Sequence, residues 1–340
     1  MTNQKFYPYQ LISVLFVAVL FVTACTANST PLPASNENNT APVANDVATT
    51  PPKSTSVTIS GAFALYPMMT RWAEEYQKIH PEVRFDISAG GAGKGMADAL
   101  AGAVDIGMVS RDITSDEEAK GAFWVAVTKD AVFVTINQDN PVKDDLLKIG
   151  VTQETLQKIF VTSEIKTWGE VVNKPEITDE IHVYTRSDAC GAAEAFAKYL
   201  GKKQEDLLGI GVYGDPGVSD AVAKDLYSIG FNNLNYAYDT SSGKPVNGIL
   251  VLPIDVNGNQ TIDPEEQLDN KEQAVQAVAL NHYPSPPARM ENLVTKGKPT
   301  GIVAQYIQWI LSDGQKYVGE AGYVQLPQDL LDQNLQKIAQ

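Results

Sequence analysis

The sequence predicts an α/β protein with two cores, on three observations. Short β-branched runs alternate with amphipathic helical stretches from residue 57 to the end. The joints between them are short and glycine-rich, the grammar of strand–helix–strand units in a mostly parallel sheet with helices on both faces. The region is also long enough for two domains.

In chain order, residues 56–60 read as a strand and 67–80 as a helix, with Met68, Trp72, Ala73, Tyr76 and Ile79 at near-helical spacing and Pro81 as the stop. Residues 83–88 read as a strand, 95–102 as a short helix, 103–109 as a strand and 123–137 as one or two apolar strands. A second unit repeats the grammar: helix 152–160, strand 181–185, helix 190–200 and a short helix from 220. Residues 229–238 read as a strand returning to the first unit, and 301–319 as a late helix packed on it. Trp72, Trp124, Trp168 and Trp309 are expected in packing, and 283–289 as a loop.

The segment before residue 57 predicts where the protein works. Lys5 precedes an apolar run, 11–24, too short for a comfortable membrane span and closed by small residues, as in a secretory signal. Val22-Thr23-Ala24-Cys25 resembles the lipobox of bacterial lipoproteins. The resemblance implies that residues 1–25 are a lipoprotein signal and that Cys25 is lipidated and anchors the protein to a membrane. Residues 26–56 are rich in Pro, Asn, Thr, Ser and Ala and bury too little apolar surface to offset ordering entropy, so a disordered tether is expected. It can reach on the order of 100 Å.

The net charge of −15 argues against nucleic acid or an acidic membrane surface as partner. A small anion stays possible, because local amides decide such binding. Beyond Cys25 the only cysteine is Cys190, so no intrachain disulfide is expected once Cys25 carries lipid. His80, His182 and His282 are widely separated, without Cys or His neighbours at ligand spacing, and do not suggest zinc.

The placement of glycine is the most informative feature. Gly61-Ala62-Phe63-Ala64, Gly90-Gly91-Ala92-Gly93-Lys94-Gly95 and Asp188-Ala189-Cys190-Gly191-Ala192 each join a strand to a helix. A helix N-terminus offers unpaired amides and the positive end of the dipole, and glycine lets an anion approach the backbone. Each junction alone is equally well a steric necessity. Lys94 and Arg186 beside them add cationic donors. Cys190, at a helix N-terminus, invites a reactive reading. No His stands in a nucleophile motif, so a small pocket-wall side chain is the expectation.

Residues 255–266 fit a twelve-position calcium loop. Asp255, Asn257 and Asn259 supply oxygens at the first, third and fifth places, Thr261 its carbonyl at the seventh, Asp263 a carboxylate at the ninth and Glu266 the last. A structural calcium is the expectation, against a plain acidic turn stabilised by Asx bonds. Gln260 departs from the pattern, standing where Gly usually makes the turn.

Read together, the stretches 60–67, 90–95 and 104–112, then Asn140-Pro141, 156–160, 167–171 and Arg186-Ser187-Asp188, resemble the phosphate-binding proteins of ABC transporters. The resemblance covers nearly all of 57–340. It implies a periplasmic-binding-protein-like fold with a two-strand hinge near 130–140 and 229–236, a first lobe of 57–135 and 232–340, and a second of 136–231. Carried over, it implies anion contacts at Phe63, Ala64, Gly93, Lys94, Ser110, Arg111, Arg186, Ser187, Cys190, Gly191 and Ala192. A monomeric, extracytoplasmic, non-enzymatic binding protein serving an importer permease follows. Where the family commonly has Ser or Thr, this chain has Phe63, Ala92, Cys190 and Ala192, so sulfate, molybdate or tungstate are alternatives to phosphate. A secreted phosphatase and a surface sensor are the readings from other classes.

Overall fold

The computed structural model describes residues 55–339; the expected signal, Cys25 and nearly all of the expected tether lie outside the described residues. Nine strands are described: β1 Thr55–Gly61, β2 Val83–Ala89, β3 Ile106–Val109, β4 Ala122–Asn137, β5 His182–Arg186, β6 Ile210–Val212, β7 Ser228–Asn233, β8 Ile249–Val251 and β9 Ala288–Lys296. They hydrogen-bond in the order β2-β1-β3-β9-β4-β7-β5-β6, with β8 also on β4. Pairing is parallel in the trios β2-β1-β3 and β7-β5-β6 and antiparallel between them. The mixed sheet with its helices is an α/β fold.

The sixteen-residue β4 joins the two halves. Ala122–Ala131 pairs with β9, and from Val132 onward the same strand pairs with β7. A single apolar run serves both halves because nearly all of it is buried. The first half buries Trp72, Tyr76, Tyr306 and Tyr323 with strand residues 57–127 and 293–294. The second buries Phe160, Trp168, Phe196 and Phe231, with Phe196 and Phe231 stacked at 4.6 Å. A third cluster, from Ala131 and Phe133 to Tyr238, Leu268 and Tyr283, fills the region where β4 passes between them.

Local chemistry sets the element ends. The helix Tyr66–Ile79 begins with Pro67 in its first turn and buries Met68, Trp72 and Tyr76; Ile79, expected on the same face, is 58% exposed in the last turn. The second helix starts at Ala92, earlier than glycine content suggests, because Gly91 takes φ 91° before it, and it ends on left-handed Gly102. The strand expected to 238 stops at Asn233, where the turn Leu234–Ala237 becomes helical. The late helix breaks after Ile310 around Asp313–Gln315, and this break presents the Gly314 carbonyl to the Trp72 indole N–H at 2.9 Å.

Candidate anion-binding site

Strand-to-helix turns from both halves meet where the halves touch. The turn after β1 carries Phe63 and Ala64, whose amides donate to no group among the described residues. Opposite them, the helix Gly191–Tyr199 opens with the amides of Gly191 and Ala192, equally free. Contact between the halves is close: a Cβ on Gly191 would lie 2.2 Å from the Ser110 carbonyl and hydroxyl oxygens, so only glycine fits. Ala64, Ser110, Cys190 and Ala192 are each at most 5% exposed. The meeting point of these turns is therefore buried and rich in donors, the condition under which amide dipoles act most strongly on a negative charge.

Arg186, at the end of β5, supplies the cation. Its Nε and Nη2 donate to Asp188 at 2.8 and 2.6 Å, and Nη1 donates to Asp215 at 2.6 Å. The side chain is 1% exposed and lies over the Phe63 ring at 5.4 Å. A guanidinium has five N–H donors. Two, one on each Nη, remain for a ligand, in the fork that suits an oxyanion. Burial works against the charge of Arg186, but Asp215 and Asp188 more than offset it and hold the group protonated.

Cys190 forms the wall beside it. Its Sγ accepts from the Ala193 amide at 3.4 Å, taking the place of a capping hydroxyl. Burial pushes the thiol up to about 12, with Arg186 pulling the other way. It is a neutral thiol, not an activated nucleophile.

Other residues expected at the ligand are engaged elsewhere. The Gly93 amide donates across the halves to the Ala189 carbonyl at 3.2 Å, which makes it a clasp instead of a free donor. Lys94 is 49% exposed and ion-paired with Asp98 on the next helical turn. Arg111 is gripped by Glu117 through both Nη groups, at 2.9 and 2.6 Å, and by Glu194 at 3.2 Å. Ser187 is exposed and packs beside Gly211 of β6. Thus Arg186 meets the Phe63 ring and Gly191 meets Ser110, with Ala64, Cys190 and Ala192 adjoining them in the chain, while the Gly93 amide and the side chains of Lys94 and Arg111 have partners elsewhere and Ser187 is exposed.

Several supporting residues lie outside the motifs read from the sequence. Asp215, wholly buried, holds Arg186 and accepts from the amide and side chain of Asn233, both at 2.9 Å. Arg289 Nε donates to the Ser110 carbonyl at 3.2 Å, and Tyr236 donates to the Phe63 carbonyl at 3.4 Å. A signal for Asp215 existed. Gly214, at φ 74°, opens the helix Gly214–Lys224 after β6, a fourth junction of the same kind, though helical pattern was legible only from 220.

The loop 255–266 closes on itself. Asp255 accepts from the amides of Gly258, Asn259 and Gln260 at 2.7, 3.2 and 2.8 Å. Gln260 adopts the left-handed conformation, φ 62°, that a glycine would ordinarily supply there. The side-chain amides of Asn257 and Asn259 donate to Asp263 at 2.8 and 3.2 Å, the Thr261 amide donates to Asn259, and Glu266 accepts from the Val256 and Asp263 amides. Among the described residues no group of three or more His, Cys, Asp or Glu is placed to hold a metal ion.

Two α/β halves closed on a dry, donor-lined pocket have the build of a bilobal solute receptor. The PBP superfamily domain matches residues 46–314, and the chain belongs to that superfamily. It is 28% identical to the phosphate-binding protein PstS of Methanocaldococcus jannaschii, over 93% of this chain and 90% of that one. It is 26% identical to PstS of Bacillus subtilis, over 79% and 80%. In fold it is similar to a phosphate ABC transporter substrate-binding protein of Clostridium perfringens with bound phosphate, with a TM-score of 0.65 at 22% identity over 80% of this chain and 100% of that one. An ABC-type phosphate transport receptor of Vibrio cholerae gives a TM-score of 0.57 at 20% identity over the same shares. No helix among the described residues is long and apolar enough to cross a membrane.

Proposed function

We propose that this chain is an extracytoplasmic solute-binding lipoprotein that captures a small oxyanion, inorganic phosphate first, and delivers it as a monomer to the permease of an ABC importer. The observation that carries this is the meeting, in one dry pocket, of free amides at Phe63, Ala64, Gly191 and Ala192 with the two uncommitted N–H groups of Arg186. The names of the relatives supply the preference for phosphate. Lipidation at Cys25 supplies the anchor and residues 26–56 the tether. Release requires the halves to part, with β4 as one crossing strand.

Titration calorimetry against phosphate, arsenate, sulfate, molybdate and tungstate tests this. One phosphate per chain with the tightest affinity of the series is expected. Tighter sulfate, molybdate or tungstate would change the ligand, and no anion binding below about millimolar concentration would overturn the function.

We further propose that the 255–266 loop takes a structural calcium when supplied, the amides of Asn257 and Asn259 turning their oxygens inward. Calcium titration of the chelator-treated protein decides it, and absence of binding below about millimolar leaves the loop a self-satisfied turn.

A further inference from the structure

Beneath the pocket the halves bury a second set of charges that anion capture does not by itself require. Asp130 on β4 and Arg289 and Glu291 on β9 have side chains 1%, 6% and 0% exposed. Arg289 ties this set to the pocket. Its Nε holds the Ser110 carbonyl, its Nη2 contacts the Asn233 side chain, and Asn233 donates to Asp215, which holds Arg186. The network thus runs unbroken from Ser110 in one half to Arg186 in the other.

Its carboxyls are unevenly served. Asp188 and Asp215 accept charge-assisted bonds from Arg186. Asp130 Oδ2 lies 3.6 Å from Arg289 Nη1, and Glu291 Oε1 lies 3.4 Å from Nη2, contacts of charge without a hydrogen bond. Asp130 Oδ2, both Glu291 oxygens and Arg289 Nη1 have no hydrogen-bond partner among the described residues. The connected set holds two cations, Arg186 and Arg289, against four carboxyls, Asp130, Asp188, Asp215 and Glu291. Fully ionised, it would carry two negative charges out of contact with water before any anion arrived. Such an arrangement resolves by protonation.

Other groups face the cluster. The helix Lys271–Ala279 contributes Lys271, which burial lowers to about 8 against the pull of Asp130 and Asp239. Tyr323 is buried and Tyr236 half-buried close by, their phenols raised by burial. The Ala131 amide donates to Asp130 Oδ1 at 2.7 Å. Burial raises Asp130 to about 6 and Glu291 well above the usual carboxyl range, in both cases against the pull of Arg289.

Resting on the reading that the pocket takes an oxyanion, we propose that the Asp130–Arg289–Glu291 cluster is the proton-binding counterpart of the pocket: as the anion enters, one carboxyl of the cluster takes up a proton from solvent, so the buried charge changes by less than the charge of the ligand. No bond to the anion is made or broken; the proton passes from buffer to a carboxylate oxygen. The sign follows from charge. An added anion raises the proton affinity of both carboxyls, so uptake occurs where the ligand-free cluster is still partly ionised, above about pH 6 by the Asp130 value. Affinity then falls as pH rises through that range and is insensitive to this cluster below it.

Inorganic phosphate titrated into the full chain in buffers of different ionisation enthalpy, between about pH 6 and about pH 8, reads the number of protons taken up. The parent, Asp130→Asn and Glu291→Gln are compared, so that the proton equilibrium of phosphate itself cancels. The expected result is about half a proton fewer per phosphate in at least one variant, with a shallower fall of affinity with pH. Should Asp130→Asn not fold, Glu291→Gln against the parent carries the test. Equal uptake in every folded variant and the parent overturns the inference while leaving the anion function standing; no binding in the parent removes both.

Discussion

The cleft and the 255–266 loop are made of the same parts, backbone amides and short polar side chains, and use them in opposite ways. In the loop, Asp255, Asn257, Asn259 and Glu266 turn back on their own amides, so the donors are taken as soon as the segment folds. In the cleft, the amides of Phe63, Ala64, Gly191 and Ala192 find no acceptor among the described residues although the surroundings are dry. Buried unpaired donors are costly. A fold that keeps them together has a use for them, which is why the cleft and not the loop is the candidate site for an anion.

Substitutions in the two regions should differ in what they cost. Arg186→Ala is expected to act most strongly. It removes the cation at the pocket and leaves Asp188 and Asp215 buried without one, a change of roughly 3–5 kcal/mol in stability and at least about a hundredfold in phosphate affinity. Denaturant unfolding and calorimetry read the two effects, and affinity equal to the parent's would dissolve the site. Gly191→Ala places a methyl 2.2 Å from Ser110 and should hold the halves apart. Overpacking of about 1–3 kcal/mol corresponds to a roughly fivefold to 150-fold weaker anion.

Asp255→Ala tests the other side of the contrast. Three amides lose their acceptor, so about 2 kcal/mol of stability should go while phosphate affinity stays as in the parent; a matching loss of affinity would mean that the two regions are coupled. The smallest effect is expected of Cys190→Ser. It restores a hydroxyl to the pocket wall at the cap of the same helix, and phosphate should bind up to about tenfold tighter. A weaker anion would show that the ligand prefers a hydroxyl-poor wall.

Much of the site was legible because its donors belong to the backbone. Glycine between a strand and a helix pointed to the turns at 61–64 and 188–192, whose Phe63, Ala64, Gly191 and Ala192 amides stay free, and Arg186-Ser187-Asp188 carries both the cation and its first carboxylate in three consecutive residues. The side chains are a different matter. Lys94 and Arg111 stand beside the right turns in the sequence, yet Asp98, and Glu117 with Glu194, engage their charges. Side-chain direction depends on partners that spacing cannot reveal. In the same way, Ile79 keeps helical period but lies past the edge of the core.

By itself, the sequence settled the α/β class, the strand-to-helix turns and the residues able to cap them, because propensity, glycine placement and apolar period act over a few neighbouring positions. Tertiary structure alone decided which donors stay free and which charges share one buried network. Asp215, Asn233, Asp130, Arg289 and Glu291 come from four separate elements, and their contacts exist only once β4 and β9 bring the two halves together. Electrostatics in a dry interior depends on distance through space, and distance along the chain carries no record of it.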